Sequence, residues 1–340
     1  MAAPSNGQLP SRPSLEQSRN QARELLRAVQ AGELAVLERV RQHHPRAAEV
    51  TQPGARFTLS DAQVVIAREA GLPSWPRLRR QIERISGPDR RRPFVRELSY
   101  YDDRAQGMLS VLETGQKRAV DLVRRYHPRF GDATDAEIRK AQLTQEDVRL
   151  IAAQEHGYLS WESFARAVEA LASGAATEPF MEAFEAIQVG DLARLETVLQ
   201  RHPELVKACG TNGNHLLNLA TSMRKVEIAK RLLELGADPN AGNNKGWTPL
   251  HDAAYGSPVN NDGASLKLLQ MLLDAGARID LSAHGDGGTP LVQALFWGHR
   301  PTADILVERG VVPNNLRVAA GLGRLDLVQK LFTREGKLKP

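Results

Sequence analysis

At 340 residues the chain is long enough for two or three folded units, and a hydrophobic content of 41% supplies a core. Aromatics make up only 5%, so Leu and Ala carry the apolar load, which favours stacked helices over a strand sandwich. A lone cysteine, Cys209, excludes an internal disulfide and any zinc site built from several cysteines, while the net charge of +5 is spread unevenly. Residues 1–96 hold 17 Arg, no Lys and 9 acids; residues 97–177 hold 10 basic and 13 acidic residues; residues 178–340 balance at 18 each.

Met1 to Ser14 is rich in Pro, Ser and Asn and has no apolar run. It reads as a disordered N-terminus, neither signal peptide nor anchor. No stretch reaches the roughly 18 apolar residues that span a bilayer. A cytoplasmic location and no membrane partner are expected.

Helical spacing begins at Leu15 and runs through Ala22, Leu25, Leu26 and Val29 to a break at Gly32. A second helix carries Leu34, Leu37 and Val40 and ends at His44-Pro45. Ser60-Asp61-Ala62-Gln63 reads as a capping box, opening a helix that closes at Gly71. Ser74 caps the next helix, from Trp75-Pro76 to about Ile85. The programme then recurs. Gly32, Val40, His44 and Pro45 map onto Gly115, Val123, His127 and Pro128 at an offset of 83. Gly71, Ser74 and Trp75 map onto Gly157, Ser160 and Trp161 at an offset of 86. Thr144 to Asp147 can cap the helix before Gly157, and Leu159 with Phe164 has the spacing of a hydrophobic staple. One four-helix unit, residues 15–86, is therefore read as duplicated in residues 97–172. Between them lies an Arg-rich linker, 87–96, and a second breaker-rich linker spans 173–179; hinge motion is expected at both.

Gly190, His202 and Pro203 repeat the first helix pair once more, at an offset of 158. A position used three times beside Pro marks a helix end, where a protonated His suits the dipole, rather than three active sites.

Beyond it, Gly246-Trp247-Thr248-Pro249-Leu250-His251 packs a turn, a cap and a helix start into six residues, followed by small residues Ala253 and Ala254 on one helix face. Thr289-Pro290-Leu291 repeats the core of it, and Gly236, Gly276 and Gly310 close later helices. These residues resemble the ankyrin repeat. The resemblance implies an all-α ankyrin-repeat solenoid preceded by the two related four-helix units. About five repeats would occupy 178–334, with a short tail at 335–340. His215-Leu216-Leu217 departs from the motif and leaves the second repeat's helix start open. Gly236 to Gly276 is 40 residues against about 33 in the family, and the surplus falls in 256–263, read as a surface insertion.

Proteins of this family meet partners with hairpin tips and the concave face of the first helices. The matching positions are Lys245, Trp247 and Asp286 at tips, and Ser222, Met223, Tyr255, Phe296 and Trp297 at helix ends. Aromatics are favoured as binding anchors; packing of Phe296 and Trp297 on the neighbouring repeat is the other reading. His251 resembles the family histidine that ties neighbouring hairpins. His284 to Gly288 lacks the Lys-Ser/Thr of a phosphate loop and reads as a turn. No nucleophile elbow, zinc-helix or calcium-loop motif occurs. No cofactor, metal or catalytic residue is expected. The Gly-x-x-Ser-Trp element of Trp75 and Trp161 resembles helical segments found beside ankyrin repeats in bacterial proteins.

The expected function is a non-enzymatic, monomeric adaptor holding a protein partner of unknown identity. The alternative rests on eight arginines in twenty residues, Arg77, Arg79, Arg80, Arg84, Arg90, Arg91, Arg92 and Arg96. Of these, Arg77, Arg80, Arg90, Arg91 and Arg92 are candidates for contacts to nucleic-acid phosphate or an acidic partner.

Overall fold

The computed structural model describes residues 13–52, 54–87, 90–255, 263–283, 288–313, 315–333 and 337. Residues 1–178 and 179–340 form two compact units. The described chain is helical almost throughout, with two two-residue strands.

The first unit contains α1 (Leu15–Gln30), α2 (Leu34–His43), α3 (Ala47–Val50), α4 (Leu59–Glu69) and α5 (Trp75–Ile85). The second copy follows as α6 (Leu98–Glu113), α7 (Lys117–Tyr126), α8 (Asp135–Lys140), α9 (Gln145–Glu155) and α10 (Trp161–Ala172). The packing repeats with the sequence. α1 lies on α4 as α6 lies on α9; α2 touches α4 as α7 touches α9; α5 follows α4 as α10 follows α9. The short helices α3 and α8 fill the passage between the second and third principal helices, where the sequence shows no apolar period long enough to announce them.

Three local expectations change. The cap of α4 is Thr58, one residue before Leu59, and Asp61 closes the box by accepting from the Thr58 amide at 2.9 Å. Both Thr58 and Ser60 have an acceptor three residues on; Thr58 wins because Asp61 is also held from outside the helix. Leu159 packs against the clusters around Leu78 and Ile85, while Phe164 sits in an aromatic cluster with Tyr101 and Tyr158, so the two do not form a staple. The breaker-rich stretch after Ile85 does not separate the copies into freely hinged bodies. Ile85 belongs to the core of the second copy beside Val120 and Val123, and buried Gln81 donates to the Tyr126 carbonyl at 3.1 Å and to Gln154. The tryptophans behave as core pieces. Trp75 packs on the first core, and Trp161 meets Phe164 with the Arg149 guanidinium 5.6 Å from its ring centre.

Two of the three phased histidines, His44 and His127, act as hydrogen-bonding posts between a helix end and an aspartate, whereas His202 lies 3.7 Å from Glu204. His44 ends α2; its Nδ1 accepts the Arg46 amide at 3.1 Å, so the proton sits on Nε2, which donates to Asp61 Oδ1 at 3.2 Å. His127 does the same with the Arg129 amide (3.2 Å) and Asp147 Oδ1 (2.9 Å). Burial lowers the pKa of His127 and outweighs the opposing pull of Asp147. A ring that accepts a backbone N–H cannot also be doubly protonated, and that is what overturns the dipole reading. Each aspartate then receives a histidine, an arginine (Arg46 or Arg129) and both the amide and hydroxyl of its capping threonine.

The second unit is five helix pairs: α11 (Pro179–Val189) with α12 (Leu192–Arg201), α13 (Leu216–Ser222) with α14 (Val226–Glu234), α15 (Pro249–Ala254) with α16 (Ala264–Asp274), α17 (Pro290–Phe296) with α18 (Arg300–Glu308), and α19 (Leu316–Gly321) with α20 (Leu325–Lys330). First helices stack in series, α11 on α13, α13 on α15, α15 on α17 and α17 on α19. Ala186, Ala220, Ala253, Ala254, Ala294 and Ala319 are fully buried there, since only a small side chain lets successive helices approach so closely. Leucines of the second helices, such as Leu232, Leu269 and Leu306, complete the core.

Candidate functional site

The hairpins before each first helix set the geometry of the exposed edge. Gly246, at φ +75°, turns the tip, and a Cβ there would come within 3.1 Å of the Ser282 carbonyl. Asn243 accepts the amides of Lys245 and Trp247 on its side chain, which leaves the Lys245 side chain exposed at the tip. Asp286 and the insertion residues 256–262 lie outside the described residues, as do the other residues of 284–287.

His251 is fully buried and structural in its bonding. Its Nδ1 accepts the Thr248 amide at 3.2 Å, closing a capping box, and its Nε2 donates to the Gly288 carbonyl of the next hairpin at 2.9 Å. Asn218 occupies the same place in the preceding repeat. It accepts the His215 amide at 3.1 Å and donates to the Trp247 carbonyl at 3.3 Å. The second repeat therefore starts its helix at Leu216 with His215 as cap, a different residue pair solving the same bonding problem.

On this frame four of the anticipated anchors come together. Trp247 and Tyr255 have ring centres 6.1 Å apart, Tyr255 and Trp297 4.7 Å, and Trp297 and Phe296 5.2 Å, each pair edge-on. The row crosses from the third repeat to the fourth. Tyr255 remains 45% exposed, Trp297 39% and Phe296 76%. Trp297 thus both packs on the preceding repeat and presents a free face. Met223 is half-buried at the equivalent end of α13.

Two neighbours of the row carry charge, and sequence reasoning passed over both. Asp252 Oδ1 accepts the Trp247 indole N–H at 2.8 Å. Burial pushes the Asp252 carboxyl up to about 7, against hydrogen bonds from Trp247 and Asn218 and the charge of Arg224. Arg224 donates to the carbonyls of Thr221 and Asp252, each at 2.8 Å, and to that of Tyr255. A signal for Arg224 was legible: it stands where the turns of other repeats carry Gly190, Gly298 and Gly323.

The arginine run falls into two parts. α5 turns Leu78, Gln81, Ile82 and Ile85 inward and leaves Arg77, Arg79 and Arg80 exposed. Arg77 pairs with Asp132 at 3.2 Å and Arg79 with Glu83 at 3.6 Å. Arg90, Arg91 and Arg92 are half-buried, and Arg92 pairs with buried Glu178 at 3.2 Å. Burial lowers the pKa of Arg118, helped by the charge of Arg91. Among the described residues no group of three or more His, Cys, Asp or Glu could hold a metal ion, and no helix is long and apolar enough to cross a membrane.

A family model described as ankyrin repeats (3 copies) matches residues 183–282. The chain is similar to mouse Protein fem-1 homolog A-like, at 34% identity over 32% of this chain and 15% of that protein. It is similar to human Ankyrin repeat and SOCS box protein 3, at 32% identity over 31% of this chain and 18% of the relative. A yeast protein, Probable 26S proteasome regulatory subunit p28, is 32% identical over 43% of this chain and 64% of its own length. The chain thus spans less than a fifth of the first two relatives and just under two thirds of the third, and these relatives are eukaryotic. Residues 183–282 are ankyrin repeats, generic protein-interaction modules, within a mostly helical chain.

Proposed function

We propose that this chain is a non-enzymatic adaptor that seats a protein partner on the concave face of its ankyrin repeats, with Tyr255, Trp297 and Phe296 as anchors and Trp247 and Lys245 at the rim. The observation that carries it is the row of aromatic rings that stay exposed while packed against one another across two repeats. Rings held in place by neighbours lose little entropy on binding and offer large desolvable area, which is what interface hot spots need. Met223, at the end of α13, extends the same surface into the preceding repeat. The reading takes the adaptor as a monomer in the cytoplasm of a bacterium. The bacterial source rests on the Gly-x-x-Ser-Trp elements.

Affinity capture with the wild-type chain as bait, repeated with Tyr255→Ala and Trp297→Ala together, tests the proposal. A partner recovered by the wild type and lost by the double variant supports it. Equal recovery by both refutes the assignment of the face.

The exposed Arg77, Arg79 and Arg80 on one side of α5 favour a second reading, contact with nucleic-acid phosphate. It ranks below the first because Arg77 already pairs with Asp132 and Arg92 with Glu178. Retention of DNA or RNA at low salt that falls steeply with added salt would reverse that order.

A further inference from the structure

In four of the five helix pairs the two helices join through the same turn. A residue one or two positions past the first helix is left-handed, and the amide that follows it returns to a carbonyl five residues back: Asp191 to Ala186 (2.9 Å), Lys225 to Ala220 (2.9 Å), His299 to Ala294 (2.7 Å) and Arg324 to Ala319 (3.0 Å). Three of these turns use glycine, Gly190, Gly298 and Gly323, at φ +84°, +73° and +65°. The second repeat uses Arg224, at φ +59°. Arg224 is the single non-glycine with positive φ among the described residues. A side chain at that backbone conformation is strained, and strain of this kind persists where surrounding contacts hold it.

The contacts are specific. A helix leaves its last carbonyls without intrahelical partners, and a following left-handed turn normally serves them. At the end of α15 Tyr255 is extended, at φ −81° and ψ 105°, whereas Met223, Trp297 and Leu322, in the same place after α13, α17 and α19, keep ψ at 7°, 3° and −5°. The Arg224 fork reaches across from the second repeat to take the Asp252 and Tyr255 carbonyls, while also binding its own Thr221 carbonyl. A planar guanidinium can serve several carbonyls at once from one fixed orientation; a lysine ammonium cannot hold that geometry.

We infer that Arg224 is a positioning residue, kept in a strained turn so that its guanidinium caps the end of α15 in the next repeat and holds the Tyr255 ring edge-on to Trp297. The inference rests on the reading of that row as the binding surface, and it assigns Arg224 the task of presenting it. With Tyr255 extended, a residue of the preceding repeat serves the carbonyls at the end of α15.

The test needs no partner. Arg224→Gly installs the residue that the other three turns use, so the turn itself forms without strain. Hydrogen exchange then reads the Tyr255 amide, which donates to the His251 carbonyl at 2.8 Å. Exchange there should rise by about ten-fold or more in Arg224→Gly while the thermal midpoint holds. The fluorotryptophan NMR signal of Trp297 should move towards that of a Tyr255→Ala protein. Arg224→Lys should behave like Arg224→Gly. Unchanged exchange and an unchanged Trp297 signal in Arg224→Gly, or full rescue by lysine, would overturn the assignment. Loss of capture by Tyr255→Ala and Trp297→Ala is a separate result, so failure of the binding surface and failure of the clamp are told apart.

Discussion

The two compact units each bury an aspartate beside the start of a helix, and they treat it in opposite ways. In the N-terminal unit Asp61 and Asp147 are saturated. Burial raises each carboxyl, but hydrogen bonds from the capping threonine and the histidine outweigh it and hold both below the ordinary value. In the ankyrin unit Asp252 has fewer donors, because the guanidinium beside it is spent on backbone carbonyls, and burial carries it up to about 7. The same residue type is a lock in one place and a titrating group beside exposed aromatics in the other. Desolvation and the number of donors that reach the carboxylate together separate them, desolvation being the larger for Asp252.

The largest test of that contrast is Asp147→Ala. It strips the cap of α9 and orphans His127 Nε2, and should cost about 3 kcal/mol in urea unfolding. A cost below about 1 kcal/mol would mean the lock is ornamental. Next, Trp297→Ala should weaken a captured partner by about 2 kcal/mol, roughly thirty-fold, read by titration calorimetry, while barely changing the far-ultraviolet spectrum.

The pH responses should oppose each other. Asp252 is raised in the folded state, so its contribution is intact below the unfolded carboxylate value and is lost as pH rises towards and through about 7. Asp252→Asn should therefore gain on the wild type between pH 4 and 8, and parallel stability curves would show that Asp252 ionises normally. His127 is lowered, so its contribution is present above the unfolded histidine value and is lost as pH falls through its folded one. His127→Gln should flatten stability on that acid side. The smallest effect belongs to Arg77→Ala. Its pair with Asp132 is exposed on both sides, and unfolding should shift by less than about 0.5 kcal/mol.

Much of the frame was readable because it rests on local chemistry. Glycine at 32, 71, 115 and 157 ends helices wherever it stands, since no other residue takes positive φ so freely. Thr144 and Ser160 cap through their own side chains three residues on. The duplication was legible for the same reason: one set of local signals recurs at near-constant offsets. Thr58 was missed because Ser60 offers an equal local signal, and only His44 and Arg46, brought from α2 and its end, decide between them. Trp247 was legible as a variable tip residue, yet nothing near it in sequence shows that its indole meets a carboxylate of raised pKa.

By itself, then, the sequence showed where most of the longer helices begin and end, that one set of local signals recurs at near-constant offsets, and that motifs resembling ankyrin repeats follow. Those follow from backbone preferences and apolar periods within a few residues. Tertiary structure alone decided that Ile85 is shared between the copies, that His44 and His127 accept a backbone N–H at Nδ1 and face an aspartate with Nε2, and that Tyr255 and Trp297 meet edge to face. It also decided that an arginine in one repeat caps a helix in the next. Each depends on the distance between groups far apart in the chain, and burial and hydrogen bonding are set by that distance.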